Sequence, residues 1–331
     1  MPIISRRYFS FGSGAVLAGV GLPALAQAPV ASRRIAFLSS GTPASSDHLL
    51  YSHFIATLKP LGWAEGTNLT IDRRYSEGDP ARAAGLNSDL LALKPDIFVS
   101  STDIYARPAA QATKTLPIVF VLGFDPVGFG LVQSLARPGG NVTGFSVLNY
   151  ELNGKRLALF KEALPSLRSV GVLYRENDAK AQTLLESMQR SGRGIAVEIV
   201  PVPIRGRDDF APMIGKAAQS GLGGVMNVPD PIFFQERKLI ADLCLQHRVA
   251  ASFGAAEFAD AGMLLGFGTD FSAMYRRAAA LVDRLLRGAV PATIPVEQAN
   301  SYELVVNLKT AQALGIKVSK SVLLQATRMI E

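Results

Sequence analysis

The sequence contains few of the side chains that usually carry out chemistry. Its 331 residues include one cysteine, Cys244, so no disulfide can form within the chain even in an oxidising compartment. The three histidines are His48, His53 and His247, and none of their spacings is that of a metal-binding pair. Neither a Walker loop nor a GxSxG nucleophile elbow is present. We therefore predict that the protein is not an enzyme, and we expect no catalytic residue, metal or cofactor.

Clustered positive charge is also lacking. The chain has 34 lysines and arginines against 27 aspartates and glutamates, a mild excess for its length. No basic run with interleaved aromatic residues occurs, although that pattern is typical of nucleic-acid binding. Nucleic acid is therefore not an expected partner.

The N-terminal segment has the layout of a secretory signal peptide. The motif SRRYFSF contains the pair Arg6 and Arg7, which is typical of the twin-arginine route, and an uncharged, glycine-rich apolar stretch follows. That stretch is too short for a convincing membrane span, although an uncleaved N-terminal anchor is the alternative. We place cleavage after Ala26, because cleavage two residues later would put Pro29 first. The sequence thus predicts a signal peptide over residues 1–26 and a periplasmic mature protein.

Short apolar runs recur along the rest of the chain and predict its fold. The runs RIAFLSS, DIFVSS and PIVFVLG are followed by a second series that includes SVGVLYRE, GGVMNVPD and GMLLGFG. Continuous apolar runs of this length suit parallel strands that are covered on both faces, and amphipathic helical patterns separate them. Two successive series of about five strands predict an α/β fold with two doubly wound, Rossmann-like lobes, joined near Asn149.

The carboxyl ends of the predicted strands supply the candidate ligand-binding residues, because ligands of open α/β sheets bind there. These candidates are Ser39, Ser40, Ser101, Thr102, Gly123 and Asp125 in the first lobe, and Tyr174, Asn227, Asp230, Ser252 and Phe253 in the second. Hydroxyls suit a ligand carboxylate, an aspartate suits an ammonium group, and Tyr174 and Phe253 offer flat faces to a planar solute. The alternative for each serine is that it caps the next helix. Asp125, with Pro126, has the rival role of starting a helix.

The glycine-rich stretch SLARPGGNVTG has the composition of a phosphate cradle, but we interpret it as a turn. Pro138 is expected to end a short helix, and Gly139 and Gly140 permit positive φ in the return to the next strand. No helix follows directly, so no anion-binding N-terminus is expected.

Four segments carry a resemblance to a known family: ATKTLPIVFV, DPVGFGLVQSLARPGGNVTG, KRLALFKEALP and YELVVNLKTAQALGI. Together they resemble the substrate-binding proteins of ABC transporters, in the branch that includes tryptophan/tyrosine-type binding proteins. The resemblance extends over Arg34–Glu331. It implies the type I periplasmic-binding fold, in which two lobes are joined by three crossing segments and the ligand lies between the lobes.

The resemblance also implies limits for the two lobes. They are residues 33–147 plus 268–294 for the N-terminal lobe and 148–267 plus 295–331 for the C-terminal lobe. The implied crossings lie near Val147–Glu151, Gly266–Thr269 and Pro295–Gln298. The chain has STDIYARPAA where family members often have GTPAALAA, so the bulkier Tyr105 and Arg107 are expected to alter the pocket.

The function implied is that of a periplasmic solute receptor without chemistry of its own. The expected partners are a small-molecule ligand and an ABC permease in the inner membrane, and the receptor is expected to be a monomer whose lobes close on the ligand. An amino acid with a planar side chain is the first expected ligand, and a small aromatic acid is the second. The alternatives are a secreted enzyme with two α/β lobes and a ligand sensor for a membrane kinase.

Overall fold

The computed structural model contains two separate β-sheets with helices packed against them. It describes residues 32–42, 47–147, 152–178 and 180–331, with the backbone alone at 47–49. The predicted signal peptide at 1–26 lies outside the described residues. Within the described ranges, no helix is both long and apolar enough to cross a membrane.

The first sheet is entirely parallel. Its strands are β1 (Arg33–Ser39), β2 (Leu69–Tyr75), β3 (Ile97–Thr102), β4 (Ile118–Gly123), β5 (Val142–Ser146) and β11 (Glu297–Gln298). They lie in the order β11-β5-β4-β3-β1-β2. Every residue of β3 and β4 is buried, as the continuous apolar runs in the sequence predict for strands covered on both faces.

In the second sheet, β12 and β13 run parallel to one another and antiparallel to the other five strands, with the change of direction between β10 and β12. Its strands are β6 (Ser169–Arg175), β7 (Glu198–Ile204), β8 (Gly224–Asn227), β9 (Ala250–Phe253), β10 (Leu265–Thr269), β12 (Tyr302–Asn307) and β13 (Arg328–Ile330). They lie in the order β13-β12-β10-β9-β8-β6-β7. The predicted architecture of two doubly wound α/β lobes is confirmed.

Helices flank both sheets and complete the two lobes. The first lobe contains α1 (Asp47–Leu58), α2 (Ala83–Ala92), α3 (Asp103–Ala112) and α10 (Phe271–Leu286). The second contains α4 (Asn153–Ala163), α5 (Ala181–Gly194), α6 (Phe210–Gln219), α7 (Pro231–Gln235), α8 (Arg237–Gln246), α9 (Ala256–Asp260), α11 (Leu308–Leu314) and α12 (Lys320–Gln325). Although α10 follows a strand of the second sheet, it packs against α1 and β4 and therefore belongs to the first lobe.

The second and third crossings between the lobes lie slightly later in the chain than the resemblance implies. The first, near Val147–Glu151, falls largely outside the described residues. The second follows β10, because all of β10 is paired within the second sheet. For the third, the sequence assigned 295–298 to the second lobe, but β11 pairs with the free edge of β5 and thus belongs to the first sheet. The chain changes lobes between β11 and β12.

The segment between β4 and β5 contains turns and no helix, so the short helix expected before Pro138 is not formed. Prolines and closely spaced glycines disfavour a helix over this stretch, because they lack an N–H or lose more backbone entropy. Gly139 has a φ of +77°, and a side chain there would collide with Gln133. Gly140 is outside the positive-φ region. The predicted turn is therefore present, and Gly139 makes it possible.

Candidate ligand-binding cleft

A cavity lies between the two lobes at the carboxyl ends of both sheets. The space that its wall borders, counted out into open solvent, is about 550 Å³. The first lobe contributes Ser40, Leu50, Thr102, Leu122, Phe124, Phe271 and Tyr275 to its wall. The second lobe contributes Asn227, Pro229, Asp230, Pro231, Phe234, Gly254 and Phe258. We call this space the inner cavity.

Aromatic rings form much of the inner cavity wall. The ring centroid of Phe234 lies 5.7 Å from that of Phe258 and also 5.7 Å from that of Phe271. The second of these contacts joins the two lobes, because Phe234 is on α7 and Phe271 begins α10. Rings at these separations pack favourably and give a planar ligand apolar faces to lie against.

Helix α10 brings two aromatic residues to the cavity at once. Asp270 caps the helix by accepting a hydrogen bond from the Ala273 backbone N–H at 2.8 Å. Phe271 and Tyr275 are four residues apart and therefore lie on the same side of the helix. Both are at least 95 % buried, and both line the cavity.

The end of β8 places two hydrogen-bond acceptors in the wall. Asn227 is 2 % exposed, and its Nδ2 donates to the carbonyl oxygen of Val228 at 3.2 Å. No residue of the described ranges donates a hydrogen bond to its Oδ1. Asp230 caps α7, with Oδ1 accepting from the Ile232 N–H at 2.9 Å. The second lobe therefore presents an amide oxygen and a carboxylate to the cavity.

The Asp230 carboxyl group changes its protonation state near neutral pH. Burial raises the pKa of this carboxyl group to about 6, and the charge of Asp178 also raises it. The hydrogen bond from the Ile232 N–H and the charge of Arg175 act in the opposite direction. Asp230 is therefore mostly ionised at neutral pH and mostly protonated well below pH 6.

The first lobe's polar residues are largely engaged with the backbone. Ser39 Oγ accepts a hydrogen bond from the Gly41 N–H at 3.0 Å, and Ser101 Oγ accepts one from the Ser40 N–H at 2.8 Å. Thr102 differs, because its buried Oγ1 has no hydrogen-bond partner among the described residues. Ser40 and Thr102 both line the cavity, whereas Ser39 and Ser101 support the turn after β1.

Asp125 lies at the outer rim, where it forms an ion pair across the cleft with Lys180. The ammonium of Lys180 also lies 4.6 Å from the ring centroid of Phe129, and Asp125 Oδ1 accepts a hydrogen bond from the Gly128 N–H. The backbone N–H of Asp125 donates to Asp103 Oδ2 at 2.8 Å. Asp103 is fully buried, and burial raises the pKa of its carboxyl group to about 7. Through this hydrogen bond it holds the Asp125 backbone in place.

A second, more open cavity adjoins the inner one. We call it the outer cavity; it shares Phe124, Pro229, Asp230 and Pro231 with the inner cavity, and its space counted out into open solvent is about 910 Å³. Its wall also includes two cations, Arg175 and Lys180. By contrast, no lysine, arginine or histidine in the described part of the chain lines the inner cavity.

Comparison with known proteins identifies the family. A family model described as "ABC transporter substrate binding protein" matches residues 43–330, which is most of the chain. The chain belongs to this family. Substrate-binding proteins of this kind bind small molecules and work with an ABC permease, and they are typically extracytoplasmic.

Individual relatives agree with this assignment. A tyrosine-binding protein of Clostridioides difficile is 26% identical over 267 residues, which cover 80% of this chain and 76% of the relative. The structure of an ABC domain in complex with L-Trp from Streptococcus pneumonia is 25% identical, with a TM-score of 0.81 over 91% of this chain and 100% of the other. A conserved domain protein from Vibrio cholerae is 28% identical, with a TM-score of 0.81 over 90% of this chain and 99% of the other.

Four of the eleven candidate residues lie in the inner cavity wall of this substrate-binding protein. They are Ser40, Thr102, Asn227 and Asp230. Tyr174 is half-buried and packs against the second-lobe core, while Ser252 is buried outside the wall. Phe253 is fully buried, with its ring centroid 5.1 Å from that of Phe258, so it supports the wall from behind. Gly123 accepts a hydrogen bond from the Val147 N–H through its carbonyl.

The two residues that depart from the family pattern do not line the inner cavity. Tyr105 is fully buried in the first-lobe core, and its backbone carbonyl accepts a hydrogen bond from Asn87 Nδ2. Arg107 is exposed and lies on a separate groove beside α3. Neither side chain is in direct contact with the inner cavity, and the expectation that they alter the pocket stays a prediction.

Sequence reasoning missed the aromatic part of the wall. Phe124 directly follows β4. The strand-end rule, which places ligands at the carboxyl ends of the strands, could therefore have included it. Phe271 and Tyr275 lie on a helix that begins more than a hundred residues after β5, the preceding strand of the first lobe, and the crossing after β10 brings them back. Gly254 reaches the wall because Gly268 on β10 lacks a side chain; a Cβ there would come within 2.0 Å of the Gly254 carbonyl oxygen.

Proposed function

We propose that this protein is the receptor of an ABC import system and binds an aromatic α-amino acid in the inner cavity. The observation that carries the proposal is the combination of aromatic rings with Asp230 and Asn227 in the same cavity wall. The rings suit a planar side chain, and the two acceptors suit an amino group. The tyrosine-binding relative and the L-Trp complex support the same ligand class.

The proposed mechanism is binding with lobe closure, without a chemical step. Both lobes contribute to the wall, so a ligand gains its full set of contacts only when the lobes approach one another. Differential affinity for the closed arrangement then shifts the open–closed equilibrium toward the form presented to a permease. We extend the proposal to a monomer in the periplasm, exported by the twin-arginine signal that the sequence predicts.

Calorimetry on the mature chain, residues 27–331, tests the proposed ligand class. Tryptophan, tyrosine and phenylalanine are titrated separately, with leucine as an aliphatic control and benzoate as an aromatic acid without an amino group. We expect at least one aromatic amino acid to bind with a Kd of about 10 μM or lower, and to be recovered unchanged by mass spectrometry. Binding of benzoate alone would favour the aromatic-acid alternative, and conversion of a bound compound would favour the enzyme.

A further inference from the structure

The inner cavity wall contains two hydrogen-bond acceptors of the second lobe beside the hydroxyl groups of Ser40, Thr102 and Tyr275. Asn227 Oδ1 is buried and lacks a donor among the described residues, and the carboxylate of Asp230 lies in the same wall. No cationic side chain of the described ranges is present to bind a carboxylate there. A buried acceptor left without a donor costs free energy, so this wall favours a ligand that brings N–H groups.

Both acceptors are already held in position. The Asn227 amide is oriented by the bond from its Nδ2 to the Val228 carbonyl, and the Asp230 carboxylate is fixed by the Ile232 N–H. Two residues separate them at the end of β8, so the same short segment presents both. A ligand donor group therefore meets a site that needs little further ordering, which favours affinity.

The cations of the outer cavity already have partners. Arg175 Nη1 donates to the carbonyl oxygen of Arg205 at 2.8 Å, and Lys180 forms its ion pair with Asp125. A ligand carboxylate that reaches this cavity must compete with those contacts while remaining partly hydrated. Its net contribution to binding is accordingly smaller than that of the amino group.

We propose that the amino group is the principal polar anchor of the ligand, held by Asn227 Oδ1 and Asp230, and that the receptor also binds aromatic amines that lack a carboxylate. This inference rests on the proposed function, because it assigns the orientation of an aromatic amino acid in the same cavity. The ring lies among Phe234, Phe258 and Phe271, and the carboxylate faces the outer cavity.

Three compounds with the same ring system separate the contributions of the two charged groups. Tryptophan has both groups, tryptamine has only the amino group, and indole-3-propionate has only the carboxylate. We expect tryptamine to bind within about tenfold of tryptophan, and indole-3-propionate to bind about tenfold to a hundredfold more weakly, which is the loss of a charged hydrogen bond.

Each outcome of this comparison decides something different. If indole-3-propionate binds like tryptophan while tryptamine does not, the inference is wrong and the proposed function stands. Binding of tryptamine without binding of any aromatic amino acid would leave the inference standing and overturn the proposed function. Failure of all three compounds, and of the other aromatic amino acids, overturns both.

A matched pair of substitutions tests the role of Asp230. Asp230→Asn removes the charge, but asparagine is an equally good helix cap, so α7 is expected to stay folded. The control is Asp79→Asn, because Asp79 also precedes a proline and caps a turn through the Ala81 N–H at 2.9 Å, yet it is exposed and outside the inner cavity. We expect Asp230→Asn to weaken tryptamine binding about tenfold to a hundredfold and Asp79→Asn to leave it unchanged. Equal affinities for both variants and the wild type would overturn the inference.

Discussion

The first lobe contributes two neutral strand-end hydroxyls to the cavity wall, those of Ser40 and Thr102, whereas the second lobe contributes an amide oxygen and a carboxylate. Ser39 and Ser101 accept hydrogen bonds from nearby backbone N–H groups, but Asn227 and Asp230 keep acceptor capacity for a ligand. Both lobes contribute aromatic rings. The difference indicates that shape and apolar contact come from both lobes, while polar selection depends mainly on the second.

Equivalent substitutions in the two lobes test this comparison most strongly. Asn227→Leu removes an acceptor for a charged donor, and we expect the Kd for an aromatic amino acid to rise about tenfold to a hundredfold. Thr102→Val removes a neutral hydroxyl of the first-lobe wall, and we expect the Kd to rise by no more than about tenfold. Calorimetry on both variants, with thermal melting to check folding, gives the measurement. A larger loss for Thr102→Val than for Asn227→Leu would reverse the assignment of polar selection to the second lobe.

The comparison also shows how much the sequence could predict. Apolar runs identify strands because strands covered on both faces must be apolar throughout, and this gave the two lobes and the location of the cleft. The strand-end rule then placed Asn227 and Asp230 among the candidates. It could not separate Ser40 from Ser39 or Ser101, because neighbouring residues at a strand end point in different directions and only the fold decides which reaches the ligand.

The aromatic residues of the inner cavity wall were harder to predict from the sequence than its polar residues. Tyr174 and Phe253 are the aromatic residues nearest the predicted strand ends, yet both pack into the second-lobe core. Phe271 and Phe234, which do line the cavity, belong to helices whose position depends on how the two lobes are joined. The third crossing lies a few residues later than implied for a similar reason, since β11 pairs with the free edge of β5 through backbone hydrogen bonds that no side-chain pattern reveals.

The pH dependence of binding sharpens the comparison, because Asp230 of the second lobe is the one carboxyl group among the described residues of the inner cavity wall. Burial raises the pKa of Asp230 to about 6, with Arg175 lowering it and Asp178 raising it; Tyr105 is also close enough to interact with this charge. A bound ammonium group favours the ionised carboxylate. Affinity is therefore fully present above pH 7 and falls as the pH drops through 6, by about tenfold between pH 7.5 and pH 5.

Calorimetry with tryptophan at several pH values measures this profile, and Asp230→Asn is the control that should flatten it. The buried Asp103 has a raised pKa of about 7, but it lies outside the inner cavity. Its protonation therefore affects the rim equally in the wild type and in Asp230→Asn. A profile of the same slope in Asp230→Asn would therefore assign the pH dependence to the first lobe instead.

The smallest expected effect concerns the one described ion pair that joins the lobes at the cleft rim. Lys180 and Asp125 are 37 % and 34 % exposed, so their attraction is worth about 0–1 kcal/mol, and it is screened by salt. Lys180→Met keeps the length of the side chain and removes its charge. We expect the Kd for an aromatic amino acid to rise by at most about fivefold, because the closed arrangement loses only this contact. In about 0.5 M NaCl, the Kd of the wild-type protein should rise to that of Lys180→Met, whereas the Kd of the variant should not change.

Two further variants decide what Asp125 does. Lys238→Met removes a comparable exposed ion pair with Asp242 on α8, outside both cavities, and should leave affinity unchanged. Asp125→Asn removes the other half of the rim pair but still accepts the hydrogen bond from the Gly128 N–H, so it should match Lys180→Met. A loss of tenfold or more in Asp125→Asn, with little change in Lys180→Met, would mean that Asp125 contacts the ligand directly, as the sequence predicts. The first lobe would then contribute a charged group to recognition, and the contrast between the two walls would no longer hold.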